Sequence, residues 1–177
     1  IVLTGDTSGA ITVAAPAVAG TNTLTLPAET GTLATTGPAF SAYMGSNLSV
    51  SASTATKCTF NTETFDTNSN FDTSNYRFTP TVAGYYQVNA QVYWLDALAD
   101  QKQTWIAIYK NGSALTYGSI QNASGNDNLS PTISNLVYLN GSSDYIEIYA
   151  RQGDTTSKNL YGSSGYSWFT AHLARAA

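Results

Sequence analysis

The chain reads as an all-β protein, a sandwich, jelly roll or barrel of many short antiparallel strands. Three observations carry that expectation. Tyr86, Val88, Ala90, Val92 and Trp94 alternate with Gln87, Asn89 and Gln91, the period-two pattern of a strand with one buried face, and the pattern returns in Thr104 to Tyr109, Leu136 to Leu139, Tyr145 to Ala150 and Trp168 to Leu173. Turn clusters separate these runs: Lys110 to Gly112, Asn122 to Pro131, Asn140 to Ser142 and Gly162 to Gly165. No stretch of a dozen residues keeps helical apolar spacing, and the nearest candidate, Leu95 to Gln103, is short and polar.

The elements follow in order. The first 37 residues differ from the rest: Gly9, Gly20 and Gly31 recur every eleven residues, and the same offset relates Thr12 to Thr23, Val13 to Leu24, Pro16 to Pro27 and Ala17 to Ala28. Each copy holds a few strand residues, then Pro, then a Gly turn. Such a unit buries too few side chains to offset the roughly 1 to 2 kcal/mol per residue that ordering the backbone costs. It therefore has to pack on copies of itself, as in an intertwined fibrous shaft, or remain a Thr/Ala-rich linker. From Pro38 to Ala177 the pattern is that of one β domain, in which Asn111-Gly112 marks a hairpin because both residues tolerate positive φ. Cys58 is the lone cysteine, so no internal disulfide forms, and its setting reads as a small buried hydrophobe.

Composition narrows the function. Only 10% of the 177 residues are charged, against about 25% in an average soluble domain. Seven scattered Lys and Arg face eleven Asp and Glu, giving a net charge of -4. A phosphate backbone needs clustered cations, so nucleic acid is not the expected partner. No apolar run reaches about 18 residues, so membrane insertion is not expected either. The chain starts without Met, which points to a piece of a longer polypeptide.

Phe60, Asp66, Phe71, Phe78, Gly84 and Tyr86 reproduce, in order and spacing, the signature of the C1q and tumour-necrosis-factor-like domains. The two aromatics that usually follow are here Val88 and Ala90, so the chain resembles a divergent member. Lys110-Asn111-Gly112, Leu136 to Gly141 leading into Asp144-Tyr145-Ile146, and Ser167, Phe169 and Leu173 continue the likeness, which spans about Pro38 to Ala174. The resemblance implies a ten-stranded jelly roll that assembles as a compact trimer, with loops at one end for ligands. Tyr85, Tyr93, Tyr109 and Tyr149 lie on strand faces that would otherwise meet water, so a homotrimer with a Tyr-lined axis is expected. Thr25 to Thr35 is similar to a segment of bacteriophage tail-fibre and tail-spike proteins that precedes a C-terminal domain. Together the two resemblances imply the distal tip of a fibre on an extracellular virion, joined to the upstream part of the same fibre.

Catalytic chemistry is poorly represented. His172, the lone histidine, sits in an alternating strand, and no Gly-x-Ser-x-Gly motif surrounds a nucleophile. The carboxylate pairs Glu63 with Asp66 and Asp66 with Asp72 fall inside the family signature, where structure explains them; the chain is expected not to be an enzyme. Asp66 to Asp72 spaces oxygen ligands like half a calcium loop, but Phe71 and Arg77 stand where an EF-hand needs Gly and Glu. Asp66, Asp72 and Asp127 are thus calcium candidates on oxygen chemistry alone, and no cofactor is expected. Three loops mix aromatics, amides and carboxylates as sugar recognition requires: Trp94, Asp96 and Asp100; Asn126, Asp127 and Asn128; Asp154, Lys158, Asn159 and Tyr161. The leading expectation is a non-enzymatic receptor-binding fibre tip that adheres to a host cell-surface glycan or protein. A secreted or cell-surface C1q-like adhesin or ligand module, and a purely structural trimerisation domain, are the alternatives.

Overall fold

A computed structural model of the chain describes residues 2–4, 10–12 and 37–177. Two units divide the chain, Ile1–Leu33 and Ala34–Ala177. In the first, β1 (Val2–Thr4) pairs antiparallel with β2 (Ala10–Thr12), Val2 opposite Thr12. Most of the eleven-residue repeat, and all of the Thr25 to Thr35 segment, lie outside the described residues.

The second unit is an all-β jelly-roll sandwich, with no helix among the described residues. Its strands are β3 (Ala39–Tyr43), β4 (Leu48–Val50), β5 (Thr56–Lys57), β6 (Thr62–Asp66), β7 (Phe71–Asp72), β8 (Arg77–Phe78), β9 (Gly84–Gln91), β10 (Gln103–Lys110), β11 (Ser113–Asn122), β12 (Thr132–Leu139), β13 (Ile146–Gln152), β14 (Lys158–Leu160) and β15 (Trp168–Ala176). One sheet runs β12-β9-β15-β3-β6, and the other runs β11-β10-β13-β8-β7 with β5 also on β13. Consecutive strands thus often sit in opposite sheets, which distinguishes this wrapping from a simple meander. β4 and β14 form a separate ribbon.

The alternation read from the sequence holds along β9, β12 and the first part of β15, whereas β10 buries Ala107 between Ile106 and Ile108 and β13 buries Glu147 between Ile146 and Ile148, because both faces of these central strands are covered there. Tyr86, Val88 and Ala90 of β9 are buried while Gln87, Asn89 and Gln91 look outward. β13 buries Ile146, Ile148 and Ala150 against the facing sheet. At the β10–β11 hairpin, Asn111 and Gly112 adopt φ of 53° and 79°, as a two-residue turn matched to strand twist requires.

The signature residues prove to be one packing unit. Phe40 of β3 stacks on Phe71 and Phe78 at 4.5 and 4.7 Å between ring centres and meets Phe169 edge-on at 4.8 Å. Phe60 closes on Phe169, and Phe78 on Tyr86, whose hydroxyl donates to the Val82 carbonyl at 2.7 Å. Burial pushes the Tyr86 phenol up to about 12. Half-buried Asp66 shapes the backbone: its carboxylate accepts the Asn68 and Phe71 amides at 3.1 and 2.7 Å and turns the chain from β6 into β7.

Strand registers set two ends. At one, the chain enters β3 beside His172, and Gly84, Leu139 and Ala176 lie together. At the other, Tyr43, Gln91, Thr132 and Trp168 come into line, and the loops 44–47, 92–102, 123–131 and 153–167 emerge.

Two outcomes test this core. Phe40→Ala removes the ring that three others share, so the denaturation midpoint should fall by the equivalent of about 3–5 kcal/mol. Cys58 is fully buried, and burial pushes its thiol up. A colourless aromatic disulfide reagent should therefore leave the native thiol unmodified and react with it only after unfolding.

Candidate functional site

The three loops singled out for sugar recognition meet at the same end. A short ribbon organises them: Trp94 bridges to Leu160, with the Leu95 amide donating to the Asn159 carbonyl and the Tyr161 amide to the Tyr93 carbonyl, both at 2.8 Å. Trp94 and Leu160 turn inward and are buried. Asp96 Oδ2 accepts both the backbone and the side-chain N–H of Asn159, at 2.7 and 2.8 Å. Asn128 donates its amide to the Trp94 and Leu95 carbonyls, and Asp100 accepts the Gly125 amide. Asp127 accepts the Ser124 amide, and its backbone pairs with Leu98. Lys158 reaches the Ala97 carbonyl at 2.8 Å and Asp154 at 3.4 Å.

Asp154 is the most committed of these groups. Its two oxygens accept the Ala99 and Thr155 amides at 3.0 and 2.7 Å, and only 7% of the residue is exposed. Those backbone donors, with Lys158 behind them, hold the carboxyl down to about 2.

Several expected contacts are therefore corrected. Trp94 is 0% exposed and its indole N–H donates to Thr104 Oγ1 at 2.6 Å, so its face is a core surface unreachable by a ligand. Asp154 and Lys158 join one loop to another. Asp96, Asp100, Asp127, Asn128 and Asn159 each spend at least one polar atom on a neighbouring loop or turn, whereas Asn126 is exposed. Tyr161 is half-buried with its ring outward, 6.4 Å from Tyr93 and 5.3 Å from Tyr166. Tyr166, 4.9 Å from Tyr93 and 46% exposed, has no signal in the sequence, because it lies beside the Gly162 to Gly165 turn and belongs to no alternating run.

The single tyrosine axis is also corrected. Tyr85 and Tyr93 follow the outer face of the β9 sheet, where Tyr85 packs on Tyr138 at 5.4 Å. Tyr109 and Tyr149 lie on the opposite outer face, stacked on one another at 3.9 Å. Next to them Glu147, almost fully buried, takes Lys57 at 2.9 Å and Arg77 at 3.0 Å, which ties β5 and β8 to β13. The four tyrosines therefore form two separate patches and do not line a single face. The calcium candidates are similarly divided: Asp66 and Asp72 serve the β6–β8 turns, while Asp127 is at the loop end. Among the described residues no three His, Cys, Asp or Glu gather as a metal site. His172 is exposed on β15 opposite Gln87.

An open hollow of about 610 Å³ lies away from the loops, lined by Tyr85, Leu136 and residues 174–177. It opens on the outer face of the β9 sheet.

The order of the strands, the shared aromatic core and the loop end can be set beside known proteins. The family model of the C1q domain matches residues 39–174. The chain belongs to the C1q domain family. The globular domain of zebrafish complement 1qA superposes with a TM-score of 0.59 at 18% identity, covering 80% of this chain and all of that one. Murine APRIL gives 0.59 at 11% identity over 78% of this chain and 99% of that one. Eiger TNF from S. frugiperda gives 0.55 at 12% over 80% and 93%. At such identities these likenesses establish the shared fold. No match was found among curated proteins. Within this C1q domain, the aromatic and acidic residues of the sequence signature are accounted for by packing and turn geometry.

The depressed carboxyl of Asp154 sets a pH test. Its stabilising effect is complete above the unfolded value of 3.8 and is lost as pH falls through about 2. Asp154→Asn should be less stable than the parent chain at neutral pH, and the gap between their urea midpoints should close on acidification from about pH 4 to about pH 2.

Proposed function

We propose that this C1q domain is a non-enzymatic, trimeric binding module that engages a cell-surface glycan or protein through its loop end. The observation that carries the reading is the position of that end. Four loops, cross-linked by hydrogen bonds, stand opposite the point where the chain enters the sandwich at Pro38. A site held by such cross-links is rigid before it meets a ligand, which limits the entropy lost on binding. Three copies on one axis add avidity to weak individual contacts.

Trimerisation has support in two unlike apolar patches. Leu136 (52% exposed), Tyr138 and Tyr85 occupy the outer face of the β9 sheet beside the open hollow, and Leu115, Tyr117 and Ile120 are exposed along β11 at the sandwich edge. Two patches at different places on one protomer suit a head-to-tail contact, which closes into a ring when the rotation allows. Exposed patches of this kind usually mark an interface.

A second reading places the module at the tip of a phage tail fibre, in a virion. The Thr25 to Thr35 segment favours it, and tail-assembly genes beside the coding sequence would bear on it directly.

The test is the mass of the purified chain by light scattering behind a sizing column. The trimer requires three times 18.7 kDa, about 56 kDa. Leu136→Asp should shift the peak to the monomer mass without loss of β-sheet circular dichroism. A monomeric parent chain overturns the avidity mechanism. Failure of the trimer to bind any of a panel of bacterial envelopes, animal cell surfaces and arrayed glycans overturns the recognition role.

A further inference from the structure

We propose that the ledge made by Tyr93, Tyr161 and Tyr166, with the Asp96 and Asn159 pair beside it, is a subsite for a neutral saccharide. The inference rests on the loop end being the recognition surface, and it narrows that surface to one ledge and one ligand class.

The ledge follows from the ribbon beneath it. Trp94 and Leu160 point into the core and are fully buried, so strand alternation sends Tyr93, Leu95, Asn159 and Tyr161 to the outer side. Tyr166 then leans over the first two tyrosines, its ring tilted 53° to Tyr93 and 50° to Tyr161. The three rings thus meet at a corner and are not stacked flat as Tyr109 is on Tyr149; Tyr166 is 46% exposed, and Tyr93 and Tyr161 are half-buried. Loop 44–47 backs the corner: the Gly162 amide donates to Asn47 Oδ1 at 2.9 Å. A Cβ at Gly162 would lie 2.1 Å from the Ser46 carbonyl carbon, so glycine is what permits this approach.

The chemistry matches a pyranose. Its C–H faces pack on aromatic rings, and its hydroxyls need acceptors and donors fixed in place. Asp96 is oriented through Oδ2 by the two Asn159 donors, and its second oxygen remains an acceptor for a sugar hydroxyl. Leu95, 39% exposed, extends the apolar floor. Charge selects among sugars: Lys158 is held by Asp154 and the Ala97 carbonyl, Arg151 at the end of β13 is turned to the Ser53 carbonyl, and the charged group that adjoins the tyrosines through Asn159 is the carboxylate of Asp96. An acidic sugar would be repelled there, and a neutral one would not.

The experiment uses the full chain with the methyl glycosides of glucose, galactose, mannose and N-acetylglucosamine, observed by saturation-transfer NMR. Tyr166→Ala and Tyr166→Phe serve as variants, and each preparation is sized by light scattering. The proposal requires at least one glycoside to bind the parent chain, Tyr166→Ala to weaken it about tenfold with mass unchanged, and Tyr166→Phe to retain it. A fall in mass for Tyr166→Ala would make the ledge a subunit contact and overturn the proposal. Binding that ignores Tyr166→Ala but is lost in Asn126→Ala would overturn the ledge while leaving the loop end as the recognition surface. If no glycoside binds but the chain still binds bacterial envelopes or animal cell surfaces, and does so after periodate oxidation of their glycans, the saccharide assignment fails alone. If it binds neither, the recognition reading fails with it.

Discussion

Everything in this domain depends on two sheets being held face to face by a few aromatic rings. Phe40 and Phe169 come from one sheet, Phe71 and Phe78 from the other, and Phe60 from the connection between β5 and β6. Each such pair adds about 0.5–1.5 kcal/mol beyond the area it buries. The geometry matters as much as the energy. Because the rings interlock from both sides, sliding one sheet over the other would break several contacts at once. The sheets are thereby held in register, and the register decides which loops share an end.

Given that frame, the loop end is stiffened by polar groups acting across sequence. Asp96 holds Asn159, Asn128 holds the backbone of the 94–95 strand, and Asp154 holds Ala99. A buried or half-buried backbone amide left without a partner costs about 1–3 kcal/mol, so side chains are recruited wherever the ladder stops. This explains why Asn and Asp are abundant in the loops without each being a contact for a ligand. It also divides the labour: carboxylates and amides shape the surface, and the tyrosines that they position provide the exposed area.

The site is only partly legible in the sequence. Turn residues and aromatics coincide in the three loops, and all three converge at one end. Trp94 continues the alternation of Tyr86, Val88, Ala90 and Val92 in phase, so the pattern that makes it look like a loop aromatic also marks its burial. Tyr166 lies in a turn and has no phase to read. Tyr109 and Tyr149 look equivalent to Tyr85 in the sequence because alternation says that residues share a face of their own strand and says nothing of which sheet the strand joins.

The sequence by itself determined the five long alternating strands, the Asn111-Gly112 hairpin, the burial of Cys58 and the family, because period-two patterning, turn chemistry and signature spacing act over a few residues or recur in fixed order; the short strands such as β5, β7 and β8 are two residues long and carry no period to read. Tertiary structure alone decided that Phe40 is the hub of the core, that Glu147 gathers Lys57 and Arg77, and that Tyr93, Tyr161 and Tyr166 form one ledge. Those groupings join residues dozens of positions apart, and the hydrophobic and hydrogen-bonding forces that create them depend on distance in space, which a linear pattern does not encode.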